Sequence, residues 1–219
     1  MAQFDHQVVY QIYPKSFYDS NGDGYGDLEG IRRKLDYLQW LGVDALWLTP
    51  FFPSPQNDNG YDVADYCAVD PSYGTMEELE SLIREAADRG IGLMFDMVFN
   101  HTSTSHAWFQ RALAGDPVYQ DYYIFRDGSP DTPPTNWISK FGGSAWAYIP
   151  ELGKWYLHLF DRTQADLNWE NPAVREALKA AGHPLVTMMV ITDPAGYETF
   201  RFDGKGTAEA GKTVIAGAE

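Results

Sequence analysis

The sequence predicts an α/β protein whose strands run parallel in one sheet. Three runs rich in β-branched, aromatic and other apolar residues, at 8–14, 44–50 and 91–99, are typical of buried strands. Segments with the apolar spacing of helices separate these runs, and the connections between them are short. Because strands that alternate with helices form right-handed crossover units, the order β-α-β-α-β indicates parallel neighbours.

The first strand, residues 8–14, is followed by an acidic loop that we predict to bind an ion. Oxygen-bearing groups stand at every second position, with a backbone carbonyl at the fourth: Asp19, Asn21, Asp23, Tyr25 and Asp27. Calcium prefers such a shell of hard oxygen ligands. The spacing matches the first half of an EF-hand loop, but the twelfth position is Gly30 instead of glutamate. A solvated acidic turn is the alternative.

Two helices are predicted between the strands. Residues 28–41 carry apolar residues at helical spacing, and Gly42 ends this helix. The second helix opens with a capping box at Thr75 and Glu78 and continues to Arg89, where Gly90 stops it.

The third run, residues 91–99, contains Asp96 in its middle and is followed by Asn100 and His101. A carboxylate inside a buried strand is costly unless a partner satisfies it. Since α/β sheets place ligands at the carboxyl ends of their strands, we expect His101 at a ligand-binding edge, with a satisfied structural histidine as the alternative.

The loop after the second strand brings Asp58 and Tyr61 to the same edge. A carboxylate beside an aromatic ring suits a sugar, which offers hydroxyls and an apolar ring face. Asp-Asn and Asn-Gly are also ordinary turn residues, so this segment is a weak signal by itself.

The pattern changes after residue 100. About seventy residues rich in Trp, Tyr, Pro and Gly contain one helix candidate, 105–113, and one strand candidate, 155–160. We predict that 1–100 form the parallel core, 101–170 an inserted subdomain, and 171–182 the start of a third helix, ending near Ala181. Residues 183–219 depart from the alternation of strands and helices, and a hairpin is predicted within 185–202.

Composition excludes several partners. The chain of 219 residues has a formal charge of −15, with 31 acids against 16 bases, which argues against nucleic acids and anionic membranes. It contains no 18-residue apolar run and no recognisable signal peptide. The single cysteine, Cys67, excludes an internal disulfide and favours a reducing compartment such as the cytoplasm. The oligomeric state stays open.

Six segments, in this order along the chain, resemble the α-amylase family of glycoside hydrolases. They span residues 8–17, 19–31, 44–63, 96–109, 141–146 and 164–175, and the similarity extends from about residue 8 to residue 178. Within the family they are most similar to the oligo-1,6-glucosidase branch and to its members that hydrolyse trehalose-6-phosphate.

This resemblance implies a (β/α)8 TIM barrel, of which the chain holds about three β/α units, with a subdomain inserted after strand 3. By position, Asp58, Tyr61 and His101 match residues that hold glucose, and Asp96 matches one that braces the site. Phe141 and Gln164 match positions near the mouth of the pocket. The acidic loop matches the metal loop of the branch, which normally holds calcium.

The activity that the resemblance implies is retaining hydrolysis of a small α-glucoside. Trehalose-6-phosphate would give glucose and glucose-6-phosphate, and short α-1,6 or α-1,4 glucosides are the alternative substrates. A phosphorylated substrate would need basic groups near the site. Lys15 and Lys140 are candidates because they are basic and lie near the matching loops. The mechanism uses an aspartate nucleophile after strand 4 and a glutamate acid after strand 5, about 5–5.5 Å apart.

The resemblance weakens after Ala181. Arg201 and Asp203 have the family's Arg-x-Asp spacing, so Asp203 is a candidate nucleophile, although such a short pattern also arises by chance. No later glutamate stands in a sequence suited to the general acid. We therefore expect a truncated or chimeric chain that does not turn over substrate alone and at most binds sugar or calcium.

Overall fold

The computed structural model describes residues 7–181 and, beyond them, only the backbone of residues 201–202 and 208–209. A three-stranded parallel sheet forms the first part, with β1 (Val9–Ile12), β2 (Ala45–Leu48) and β3 (Gly92–Phe95) in the order β1-β2-β3. In its register Ile12 pairs with Leu48, and Leu48 with Phe95. The carboxyl ends of all three strands therefore meet at one edge, which confirms the predicted parallel arrangement.

The connection from β1 to β2 contains a short helix, α1 (Pro14–Phe17), and then two six-residue helices, α2 (Leu28–Arg33) and α3 (Leu35–Trp40). The prediction of one continuous helix over 28–41 is wrong at Lys34. The Lys34 N–H bonds to the carbonyl of Ile31, three residues back, at 3.0 Å, and this tighter turn divides the helix. The apolar stripe persists across the break, with four fully buried residues: Leu28, Ile31, Leu35 and Leu38.

The connection from β2 to β3 contains α4 (Met76–Asp88), and its predicted start is confirmed. Thr75 Oγ1 accepts from the Glu78 N–H at 3.2 Å, while Glu78 Oε2 accepts from the Thr75 N–H at 2.8 Å. This capping box satisfies two N–H groups that would otherwise lack helical partners. The helix buries Leu79 and Leu82 against the sheet side of the core.

The third strand is shorter than residues 91–99, because its neighbour β2 ends at Leu48. The Asp96 N–H donates to the Leu48 carbonyl at 3.0 Å, which is the final backbone hydrogen bond to β2. Asp96 therefore follows β3 instead of lying within it. Residues 97–99 are buried because they cross the core, where the Tyr66 hydroxyl donates to the Val98 carbonyl at 2.8 Å. The chain then enters β4 (His101–Ser103), which belongs to a different sheet.

The segment after residue 100 folds as two small antiparallel sheets. β4 pairs with β8 (Gln164–Asp166), and β5 (Phe125–Asp127), β6 (Trp146–Ile149) and β7 (Lys154–Leu157) form a sheet in the order β5-β7-β6. The strand predicted at 155–160 is thus β7, one residue earlier and shorter.

Three helices accompany these sheets: α5 (Ala107–Leu113), α6 (Pro117–Gln120) and α7 (Pro172–Ala181). Two of them correspond to predicted helices. The helix predicted at 105–113 begins at Ala107, because His106 Nδ1 accepts from the Trp108 N–H at 3.1 Å and caps it. Asn171 caps α7 in the expected way, through the Ala173 N–H at 2.8 Å.

The hairpin predicted within 185–202 lies outside the described residues, except for the backbone of its last two positions. There β9 (Arg201–Phe202) pairs antiparallel with β10 (Ala208–Glu209). In the part of the chain that the structure describes, no helix has the length and apolar character needed to cross a membrane.

Candidate functional site

The loop after β2 is organised around one buried carboxylate, Asp62. Its oxygens accept from Ser54 Oγ at 2.8 Å, from the N–H and Nδ2 of Asn57 at 3.0 Å each, and from the Asp58 N–H at 3.1 Å. Asp62 therefore fixes the backbone that carries Asp58 and Tyr61. The sequence does not single out Asp62, because nothing local distinguishes its role from that of its neighbours.

Asp58 connects the loop after β2 to the inserted subdomain. Gln164 Nε2, on β8, donates to Asp58 Oδ2 at 2.9 Å, and the Asp161 N–H donates to Gln164 Oε1 at 2.8 Å. Burial raises the pKa of Asp58 most, the Gln164 bond opposes this, and the charges of Asp62 and Asp161 raise it further. Gln164 is buried, and the bond from the Asp161 N–H fixes the orientation of its amide. Asp58 therefore presents a defined carboxylate at the edge of the sheet.

Tyr61 and Asp96 form the second pair of the site. The Tyr61 hydroxyl donates to Asp96 Oδ2 at 3.1 Å. Burial raises the pKa of Asp96 to about 6, and the hydrogen bond from Tyr61 partly offsets this rise. Burial and the Asp96 charge also raise the pKa of Tyr61, so its hydroxyl keeps its proton as a donor. Asp96 is therefore mostly ionised at neutral pH and holds the tyrosine ring in place.

His101 is buried and both of its ring nitrogens contact protein groups. Nε2 lies 3.0 Å from the Tyr61 carbonyl, and Nδ1 lies 3.2 Å from Asn100 Nδ2. Since a carbonyl only accepts, these partners place the proton on Nε2 and leave Nδ1 as an acceptor. Burial lowers the pKa of His101 to about 4, so the ring is neutral at pH 7.

Asn100 and Asp166 form a buried pair behind His101; the sequence places Asn100 at the same strand end as His101 but does not single out Asp166. Asp166 Oδ1 accepts from Asn100 Nδ2 at 3.3 Å and from the Leu159 N–H at 3.1 Å. Burial raises the pKa of Asp166 to about 7, and these two bonds lower it in part. The contact arises because His101 on β4 pairs with Asp166 on β8, and that register is not readable from either segment alone.

Phe141 stands at the outer edge of the site. Its side chain is 60% exposed, and its ring centre lies 6.1 Å from that of Phe160, which in turn packs 5.2 Å from the His101 ring. An open cavity of about 530 Å³ adjoins these rings, and Arg162 also lines it. Phe160 therefore bridges this cavity and the buried histidine.

The structure thus brings most of the predicted site residues together. Hydrogen bonds join them in pairs and place these at the carboxyl edge of the sheet: Asp58 with Gln164, Tyr61 with Asp96, and His101 with the Tyr61 carbonyl. Arg201 is described only as backbone of β9, and Asp203 lies outside the described residues. The roles predicted for these two remain predictions.

The acidic loop at residues 19–27 is folded by its own side chains. Asp19 accepts from the N–H groups of Gly22 at 2.6 Å and Gly24 at 2.8 Å, and Asn21 Oδ1 accepts from the Asp23 N–H at 2.9 Å. The bonds to Gly24 and Gly22 are the main reason that the pKa of Asp19 is lowered, which keeps this carboxylate ionised. Hard oxygen donors are thereby gathered in one exposed turn, as calcium requires.

Asp27 has a different position from the other residues of that loop. It is buried, its Oδ1 caps α2 through the Gly30 N–H at 2.5 Å, and its Oδ2 accepts from Ser20 Oγ at 2.8 Å. Within residues 7–181, no three His, Cys, Asp or Glu side chains are arranged as a metal cluster. The loop instead offers two exposed carboxylates with an amide oxygen and a backbone carbonyl, so Asp27 fits a direct ligand role less well.

Comparison with known proteins decides the family. The sequence model of the α-amylase catalytic domain matches residues 11–208. The chain belongs to the α-amylase family. Its three parallel strands with their connecting helices are accordingly part of the TIM-barrel fold of these glycoside hydrolases, and the segment after β3 stands where the resemblance placed an inserted subdomain.

Several members of the α-amylase family are highly similar to this chain. It is 62% identical over 172 residues to trehalose-6-phosphate hydrolase of Escherichia coli strain K12, covering 78% of this chain and 31% of that protein. It is 54% identical over 173 residues to oligo-1,6-glucosidase of Heyndrickxia coagulans, with shares of 78% and 31%. The crystal structure of Bacillus licheniformis trehalose-6-phosphate hydrolase is 52% identical, with a TM-score of 0.81, and the match covers 84% of this chain and 34% of that one.

The chain therefore spans about a third of the length of the relatives that it matches.

Proposed function

We propose that this chain carries the glucose-holding part of a retaining α-glucosidase that cleaves trehalose-6-phosphate into glucose and glucose-6-phosphate. The observation that supports this most is the hydrogen-bonded group of Asp58, Gln164, Tyr61, Asp96 and His101 at the carboxyl edge of the parallel sheet. The 62% identity to a trehalose-6-phosphate hydrolase favours this substrate. Short α-1,6 or α-1,4 glucosides are the second candidate, on the 54% identity to an oligo-1,6-glucosidase.

The proposed chemistry divides between groups that hold the sugar and groups that react with it. An aspartate attacks the anomeric carbon, a glutamic acid protonates the leaving oxygen, and water then releases α-glucose. Asp203 is the candidate nucleophile and Arg201 its partner, while no glutamate of the chain is assigned as the acid. Asp58 and Tyr61 would bind hydroxyls and the ring face of the glucose, and neutral His101 would hold the Tyr61 backbone in place through its Nε2.

Sugar binding by the purified chain tests the proposal. We expect Asp58→Asn to weaken the binding of trehalose-6-phosphate, measured by calorimetry, by about tenfold or more, because a charge-assisted hydrogen bond becomes neutral. Asp88→Asn is the matched control, since Asp88 is exposed at the end of α4, four residues before the amino end of β3. Equal affinity in the wild type and in Asp58→Asn would contradict the assignment.

Hydrolysis is measured in parallel with trehalose-6-phosphate and p-nitrophenyl α-glucoside. Turnover that disappears in Asp203→Asn would assign the nucleophile and overturn the expectation that the chain is inactive alone. An absence of turnover together with site-dependent binding agrees with the third candidate, a chain that binds sugar without cleaving it.

Calcium is the cofactor that we propose for the acidic loop. Asp19, Asn21 and Asp23 would supply side-chain oxygens and Tyr25 a backbone carbonyl, which are the donor types that calcium prefers. The ion would neutralise carboxylates that crowd one turn and would order the connection between α1 and α2.

We expect calcium to raise the melting temperature of the wild type by several degrees at millimolar concentration, because an ion that binds only the folded state stabilises it. Asp19→Asn and Asp23→Asn should abolish this rise, whereas Asp88→Asn, which removes the same charge elsewhere, should retain it. A rise of the same size in all variants would place any bound calcium outside this loop.

Two further parts of the proposal concern the surroundings of the protein. A small α-glucoside is the proposed partner, and the excess of acids over bases supports neither a nucleic acid nor an anionic membrane. Cytoplasmic localisation is proposed because the single cysteine, exposed Cys67, is a free thiol of the kind that a reducing compartment preserves.

A further inference from the structure

A phosphorylated substrate poses an electrostatic problem for this chain. The formal charge is −15, so the protein as a whole repels a phosphoryl group, and selective binding needs cations close to the site. This inference rests on the function proposed above and concerns the residues that would recognise the phosphoryl group.

Most basic side chains in residues 7–181 already have a partner. The majority form ion pairs with carboxylates, Lys15 and Lys34 lie over tyrosine rings, and Arg175 donates to backbone carbonyls. Within that range, only Arg126, Lys140 and Arg162 lack a close ion pair, a ring partner and a carbonyl partner beyond an adjacent residue; of these, Arg162 also interacts with the Tyr156 side chain and with the charge of Asp161. A cation without such a partner is available to an incoming anion.

Two of these three cations, Lys140 and Arg162, lie on touching loops beside the candidate site. The Lys140 N–H donates to the Leu159 carbonyl at 2.7 Å, and Ser139 Oγ donates to the Phe160 carbonyl at 2.6 Å. These bonds hold the segment before Phe141 against the segment before Arg162. Phe141, next to Lys140, packs against Phe160, which lies two residues before Arg162 and packs against the His101 ring.

The open cavity at this edge has the size and lining of a polar ligand site. Its volume of about 530 Å³ lies within the range of small-molecule sites, roughly 300–1,000 Å³. Arg162 and Phe141 line it, and Lys140 follows the lining residue Ser139 in the chain. The Asp161 carboxylate beside Arg162 is held by Thr163, whose N–H and Oγ1 donate to Asp161 Oδ1 at 2.9 Å and 2.7 Å, and its charge also acts on Arg162.

We propose that Lys140 and Arg162 receive the phosphoryl group of a phosphorylated disaccharide whose other glucose is held at Asp58 and Tyr61. A phosphate dianion accepts charge-assisted hydrogen bonds from an ammonium and from a guanidinium, and the guanidinium can bind two oxygens at once. The exposed ring of Phe141 covers an apolar face of the sugar between the two ends. Lys140 and Arg162 thus determine the preference for phosphorylated over neutral substrates.

Calorimetry with trehalose-6-phosphate and with trehalose tests this assignment. We expect the wild type to bind the phosphorylated sugar at least about tenfold more tightly, a preference that falls with added salt. Lys140→Gln and Arg162→Gln should each remove much of the preference and leave trehalose binding unchanged. Arg126→Gln is the matched control, because Arg126 lies on β5 and bonds only to the carbonyl of Phe125.

The outcomes separate this inference from the proposed function. A preference that survives in the Lys140→Gln, Arg162→Gln double variant, or a wild type without preference, overturns the inference alone, provided that Asp58→Asn still weakens trehalose binding. Trehalose binding that Asp58→Asn leaves unchanged, or a wild type that binds neither sugar, overturns both. All substitutions are at exposed or half-buried polar positions, and melting temperatures confirm that each variant is folded.

Discussion

Replacing Asp62 with alanine is expected to lower the free energy of unfolding by about 3–5 kcal/mol, among the largest effects of a single substitution in this chain. The Asp62 carboxylate is fully buried and accepts four hydrogen bonds, which come from Ser54, Asn57 and Asp58. Without it, these donors have no acceptor in a site from which water is largely excluded. The loop that carries Asp58 and Tyr61 should loosen, so sugar binding should weaken together with stability.

Urea unfolding of Asp62→Ala beside Asp65→Ala measures this effect. Asp65 lies in the same connection, but it is exposed and accepts one hydrogen bond, from the Cys67 N–H at 2.8 Å. We expect about 1 kcal/mol or less from Asp65→Ala. Equal midpoints for the two variants would show that the Asp62 network does not hold the loop.

The dependence of stability on pH should change strongly when Asp166 is replaced by asparagine. In the folded protein, burial raises the pKa of Asp166 to about 7 and that of Asp96 to about 6. Between pH 4 and these values the folded state keeps protons that the unfolded state has released. The contribution of these two carboxyl groups to stability is therefore present below about pH 4 and is lost as the pH rises through the folded pKa values.

His101 and His106 act in the opposite direction. Burial lowers the pKa of each to about 4, so between pH 4 and 6.5 the unfolded state binds protons that the folded state does not. Their contribution to stability is present above pH 6.5 and is lost as the pH falls towards 4. Between about pH 4.5 and 6 the two buried acids and the two buried histidines largely offset each other.

Asp166→Asn removes one of the opposing groups. We expect the free energy of unfolding to gain a slope of about 1.4 kcal/mol per pH unit relative to the wild type, rising from pH 4.5 to 6. His106→Gln should change the slope by the same amount in the other direction. Urea unfolding at several pH values measures both, and an Asp166→Asn curve parallel to that of the wild type would mean that Asp166 is ionised throughout this range.

The parallel sheet could be predicted because its evidence is local. Each strand is a short apolar run, and each helix has its own period and cap, as at Thr75 and Glu78. The break at Lys34 and the end of β3 at Phe95 could not be predicted. The end of β3 is set by the length of the neighbouring strand β2. An apolar run such as 91–99 shows burial, but it does not show whether a residue is buried in a sheet or in a crossing segment.

The candidate site divides in the same way. The positions of Asp58, Tyr61, Asp96 and His101 in and after apolar strands predict a site, the family resemblance adds Gln164, and hydrogen bonds join all five in the folded chain. The supporting contacts could not be predicted, because they connect distant segments. Asn100 and Asp166, for example, are 66 positions apart, and only the register of β4 with β8 brings them together.

The bond between Gln164 and Asp58 joins residues 106 positions apart, which has a consequence for the order of folding. Closing a loop of that length costs roughly 4 kcal/mol of chain entropy by the logarithmic scaling, before any contact at its ends rewards it. The strand and helix contacts of residues 9–95 close much shorter loops, so they should form earlier. The sugar site is then among the last parts to assemble. A ligand that binds across the site would stabilise the product of this last and slowest folding step.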